Sequence, residues 1–179
     1  TLTAEINNRS ADITGSGTTW TARRQLDQTI DTEGTVTFSL SFSDQSGNQG
    51  VSVSSTTDDT SVRFDKTRPT AALSYSAPAP YRQGETVTIT ANYSESMLAT
   101  STSRLKVILE DGTSISEIMN WVPGMDNRSS FDFLMRAGNG IAEVKLDDAL
   151  DLAGNEVEPD PTVGGQFELD NIQPTAFIT

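Results

Sequence analysis

Apolar and polar residues alternate along most of this chain. In GTVTFSLSF (34–42) the apolar positions are Val36, Phe38, Leu40 and Phe42. In ETVTITANY (85–93) they are Val87, Ile89, Ala91 and Tyr93, and in GIAEVKL (140–146) Ala142, Val144 and Leu146. A period of two predicts strands with one buried face and one wet face. From residue 70 onward the pattern predicts seven strands: 70–76, 85–93, 105–109, 115–119, 131–135, 141–146 and 166–170. Turn signals separate them, among them RQGE, EDG, AGNG and DLAGN.

The alternation is written twice. SVRFDKTRPTA (61–71) returns as QFELDNIQPTA (166–176). Asp65 and Asp170 are 105 residues apart, Asn48 and Asn155 107, and Gly34 and Gly140 106. Three nearly equal offsets predict a repeat of about 105 residues. Seven short strands in that length predict an all-β fold of tandem immunoglobulin-like β-sandwiches with Greek-key connections. The expected organisation has three parts. Residues 1–67 form a partial unit that lacks its first two strands, with LTAEI matching LKVIL. Residues 68–170 form a complete seven-stranded unit. Residues 171–179 are a linker and the first-strand stub of a following repeat. The chain opens at Thr1 without Met or a signal-like run and reads as a piece of a longer protein.

Composition narrows the chemistry. Cysteine is absent, which removes disulfides and thiolate metal sites. Histidine is absent as well, and with it the side chain most used as a base near neutral pH. The 25 acidic and 12 basic residues leave a net charge of −13. Such a surface repels nucleic-acid phosphates and anionic lipid, so neither is an expected partner. No apolar run is long enough to span a bilayer as a helix. No phosphate-binding loop or nucleophile elbow is present, and the chain is not expected to be an enzyme. Trp20 and Trp121 read as core or hairpin aromatics before they read as ligand platforms.

The motifs SDQSGN and LDLAGN before the last strand, FDKTRPT and LDNIQPT at the junctions, and GETVTITANYSE at the start of the full unit resemble the tandem bacterial Ig-like repeats of large cell-surface and biofilm adhesins. The resemblance covers nearly the whole chain. It implies an exported, extracellular array on the bacterial cell surface that spaces or stiffens a binding tip in cell adhesion. Neighbouring Ig-like repeats are the implied partners, with a host-cell, matrix or glycan surface as target. It also implies calcium at domain junctions.

In an Ig-like sandwich the linker DKTRP arrives at the end that carries the loops SESMLATSTS (94–103) and DDALDLAGNEVEPD (147–160). Asp65, Glu95, Asp148, Asp151 and Asn155 are therefore the candidate calcium ligands, because calcium accepts six to eight oxygens in forgiving geometry. The competing expectation is that Asp151 and Asn155 only build a turn, and that Asp65 caps the linker or pairs with Lys66 or Arg68. Pro69 and Pro174 predict extended, stiff linkers. The alternative function is a carbohydrate-binding or accessory domain of a secreted enzyme. The incomplete first unit also predicts an open edge to which a neighbour's C-terminal stub can add, giving head-to-tail self-association.

Overall fold

The computed structural model describes residues 1–177. Among these there is no helix; every regular element is a strand, and the sheets are antiparallel. The chain divides into two compact units, Thr1–Lys66 and Thr67–Thr179.

In the first unit the strands are β1 (Leu2–Ile6), β2 (Arg9–Ser10), β3 (Asp12–Ser16), β4 (Thr19–Arg23), β5 (Gly34–Thr35), β6 (Phe38–Phe42) and β7 (Arg63–Phe64). They form one sheet in the order β2-β1-β6 and two pairs, β3-β4 and β5-β7. The β1–β2 reversal is set by Asn7 and Asn8, with φ of 53° and 60°. Two successive left-handed residues match the twist of a tight hairpin, and asparagine tolerates that conformation. Ala4 and Asp31 are the only buried residues among those described in this unit. Val36, Phe38 and Leu40 alternate as expected but stay half-buried, and Phe42 is exposed. The period is right; the described residues of this unit supply no second layer to cover it.

The second unit contains β8 (Ala71–Tyr75), β9 (Thr86–Tyr93), β10 (Ser103–Ile108), β11 (Ser114–Trp121), β12 (Arg128–Leu134), β13 (Gly140–Asp147) and β14 (Gln166–Leu169). All seven predicted strands form. They make one curled sheet in the order β14-β13-β10-β11-β12-β9-β8. The two edges return toward each other. Ala72 bridges Val163, and Tyr81 bridges Leu169, both in parallel sense.

Curling brings the apolar faces together. Val87, Ile89, Ala91 and Tyr93 of β9 point into the same core as Leu105, Val107, Phe133, Val144 and Leu146. Each such large side chain contributes about 1.5–3 kcal/mol when fully buried. Tyr75, Tyr81 and Phe167 pack against one another at centroid distances of 5.7–6.3 Å, with both tyrosines edge-on to Phe167. One polar network lies inside: the Tyr93 hydroxyl is 2.7 Å from Ser103 Oγ, and Ser103 Oγ is 2.8 Å from Ser129 Oγ. Shared hydrogen bonds offset the desolvation of these hydroxyls. Trp121 packs on Tyr93 at 5.6 Å, and its indole donates to the Ser101 carbonyl, so it belongs to the core margin.

Part of the hydrogen-bond ladder coincides between the two units, within residues 34–64 and 140–169. Gly34 pairs with Phe64 as Gly140 pairs with Leu169. The Leu40 amide donates to Val53 O at 2.8 Å, and the Leu146 amide to Pro159 O at 2.9 Å. Gly50 donates to Phe42 O as Val157 donates to Ala149 O, both at 2.8 Å. The offsets between these equivalent groups are 105 to 107 residues. The rest differs: β8 and β9 have no counterpart among the first unit's described residues, β3 and β4 pair apart from the sheet of β1, and Ala4 rather than Leu2 takes the place of Leu105, so the expected match of LTAEI with LKVIL is shifted by two residues.

Candidate functional site

Three segments of the second unit meet beside its first strand. Arg68 donates from Nε to Glu156 O and from Nη2 to Val157 O, both at 2.8 Å. The Glu158 amide donates to Pro69 O at 2.8 Å. The loop after β9 joins them: Leu98 donates to Leu150 O at 2.8 Å, and Met97 bridges Asp151. Arg68 also lies 3.4 Å from a Glu158 carboxylate oxygen. The ion pair is exposed and weak, but the two carbonyl contacts fix the guanidinium against the backbone.

Asp151 is buried at the centre of the loop after β13. Its Oδ1 accepts from the amides of Ala153 and Asn155, each at 2.8 Å. Its Oδ2 accepts from Asn155 Nδ2 at 2.8 Å. Gly154 at φ 91° turns the chain so that this closes. The carboxylate is thus a loop-builder, as the Asx-turn expectation has it. These three bonds take up three of the carboxylate's roughly four acceptor positions and fix its direction in the loop.

Asp148 sits at φ 64° on the surface and accepts from Arg104 Nε at 2.8 Å. Glu95 is half-buried in the loop after β9. Asp65 belongs to the first unit, where Arg63 is 3.7 Å away. Asp147, Asp148 and Glu156 bring one carboxylate oxygen each within 4.8 Å of one another. All three are exposed, and only Asp148 among them is a calcium candidate by sequence. Three surface oxygens alone do not make a cage.

The first unit repeats the Asp151 loop. Asn48 donates to Asp44 Oδ1 from its backbone at 2.9 Å and to Oδ2 from its side chain at 2.8 Å. The Asp44 amide donates to Asn48 O at 3.0 Å, the distance that also separates the Asp151 amide from Asn155 O. The Asn48 side chain, followed by its backbone amide, holds the Asp44 carboxyl below its ordinary range.

One organising residue escaped the sequence reading. Asp31 is buried and accepts from Arg24 Nη2 at 2.8 Å, from the Asp27 amide at 2.7 Å and from Asn7 Nδ2 at 3.3 Å. Its carbonyl accepts from Lys66 Nζ at 3.0 Å. It ties the β1–β2 turn, the chain after β4 and the end of the unit together. The Arg24 hydrogen bond is the main reason its carboxyl falls from an ordinary 3.8 to about 2. Its repeat counterpart is Ala137, so no periodic signal marked it.

Comparison with protein families, with curated proteins and with solved structures found no match.

Proposed function

We propose that this chain is part of a serial array of immunoglobulin-like β-sandwich units that serves as a structural and interaction module of an exported bacterial adhesin. Its work is mechanical. Antiparallel ladders resist extension, and a short proline-bearing segment docked by Arg68 limits bending at the start of a unit. The observation that carries this reading is the shared hydrogen-bond register of the two units. Two stretches about 106 residues apart that share one ladder and one Asp–Asn loop support a repeat. The order β13-β10-β11-β12 in the curled sheet has the spatial form of a Greek key, which supports the immunoglobulin-like assignment. The resemblance of the junction motifs favours a surface-exposed extracellular location. Calcium-dependent stiffening at the junction belongs to the same proposal and rests on the resemblance.

Single-molecule extension between the termini tests the reading. A mechanical module gives a distinct rupture that releases about 35 nm, the contour length of roughly 100 residues. Smooth extension without a force peak would count against it.

A further inference from the structure

Strand β11 changes partners along its length. Asn120 and Trp121 pair with Ser130 and Ser129 of β12, and beyond Ser130 β12 runs on with β9 alone. Among the described residues, 114–119 pair with β10 only. The first half of β11 is therefore a sheet edge within the seven-stranded unit.

The ladder fixes which groups that edge presents. The Leu109 amide donates to Thr113 O at 2.9 Å, and from this pair the strands alternate. Ile115, Glu117 and Met119 turn their amides and carbonyls to β10. Ser114, Ser116 and Ile118 turn theirs outward. Val122, of the same parity, donates to Arg128 O at 3.0 Å on the β12 side.

The side chains suit a partner of the same kind. Ser114, Ser116 and Ile118 are exposed, Ile118 by 56 %. The stretch SISEI carries no proline or lysine, the residues that commonly blunt an edge. Its one acid, Glu117, lies on the other face, 4.0 Å from Arg136. Opposite Ser116 and Ile118 on β10 stand two basic residues, Lys106 and Arg104, the latter paired with Asp148. Two copies of a chain with net charge −13 repel each other over most of their surface. Here the outer face offers serine, serine and isoleucine beside cations, so two copies can approach without opposing carboxylates.

We propose that the first half of β11 is a self-pairing edge, at which two copies of the chain join antiparallel about a two-fold axis at Ser116. Ser114 of one copy then faces Ile118 of the other, and Ser116 faces Ser116. Each outward amide meets an outward carbonyl, giving about six main-chain hydrogen bonds. On the opposite face Ile115 meets Glu117 of the second copy. The two Glu117 side chains become diagonal neighbours, each held by its own Arg136. The contact is isologous, so it stops at a dimer. Its ladder is short and buries little area, so the dimer forms at high concentration. The pairing is independent of the adhesion reading.

Sedimentation equilibrium of the full chain from about 10 µM to about 1 mM tests this. The weight-average mass is expected to rise toward twice that of one chain and no further. Ser116 is exposed and its amide lies outside the β10 ladder, so a charge there leaves the fold intact. Ser116→Lys and Ser116→Glu each set like charges against one another across the axis and weaken the dimer about fivefold. An equimolar mixture of the two variants brings opposite charges together and restores it. A parent chain that stays monomeric over the whole range, or whose mass climbs past a dimer, overturns the proposal. So does a Ser116→Lys chain that associates as well as the parent, which would place the contact on another surface. A mixture that fails to recover would move the axis away from Ser116 and overturn it as well.

Discussion

Asp151 holds Asn155 with both carboxylate oxygens, one on the backbone amide and one on the side-chain amide, each at 2.8 Å. The pair closes a tight loop whose acid is buried, so its hydrogen bonds form away from competing water. Asp44 and Asn48 close the matching loop of the first unit in the open.

Asp151→Ala removes the acceptor that two backbone amides and one side-chain amide now share. Bonds to a buried charged acceptor contribute about 1.5–3 kcal/mol each and are not additive, so a loss of about 2–4 kcal/mol is expected. For a unit of this size that lowers the melting temperature by about 10 °C or more. The drop is the same with calcium and with chelator. A calcium-dependent rise in the parent chain that vanishes in the variant would instead place a metal at this loop. Asp44→Ala in the exposed copy has the smaller effect.

Asp31 makes the first unit sensitive to acid. Its carboxyl titrates at about 2 when folded, against an ordinary 3.8. A depressed folded value means that the stabilisation is complete above the unfolded value. It is lost as pH falls from about 4 through 2. Tryptophan fluorescence of Trp20 in a Trp121→Phe background follows the first unit. Its signal changes over that window in the parent chain, while Asp31→Asn lowers stability at neutral pH and flattens the acid response. An unaltered acid transition in Asp31→Asn would mean that other carboxylates set it.

Tyr93→Phe tests the buried hydroxyl network. It removes one partner from Ser103 and Ser129, whose oxygens still reach each other at 2.8 Å. Because the two serines satisfy one another, the expected cost is about 1 kcal/mol in chemical denaturation. A loss several times larger would show that the tyrosine hydroxyl organises the core rather than joining it.

The carbohydrate-binding alternative needs an exposed tryptophan platform. Trp121 is packed on Tyr93, whereas Trp20 is half exposed on the β3–β4 hairpin. For a mechanical module, Trp20→Ala leaves glycan-array binding unchanged, at background. Specific binding lost in that variant would favour the alternative.

The second unit was largely legible in the sequence because its alternation is strong and its turns are punctuated. Val87 to Tyr93 and Ala142 to Leu146 face the core as their period demands. The Asp–Gly–Asn loops were legible too, since their chemistry is local. The half-burial of Phe38 and Leu40 was not, because periodicity names a face but does not supply the layer that covers it. Asp31 was invisible for a related reason. Its partners Arg24, Asn7 and Lys66 are far apart in sequence, and no counterpart in the second unit repeats it. The gathering of Asp147, Asp148 and Glu156 depends on a bridge between Leu150 and Glu156 that composition cannot reveal.

Two stretches about 106 residues apart fold with one hydrogen-bond register, and the repeat reading stands or falls with that fact. NMR couplings across hydrogen bonds measure it without intermediaries. Matched pairs are expected: Leu40 to Val53 with Leu146 to Pro159, Gly50 to Phe42 with Val157 to Ala149, and Asp44 to Asn48 with Asp151 to Asn155. Finding the pairs of the second unit while those of the first are absent, or connect other residues, would show that the two stretches are not copies of one unit.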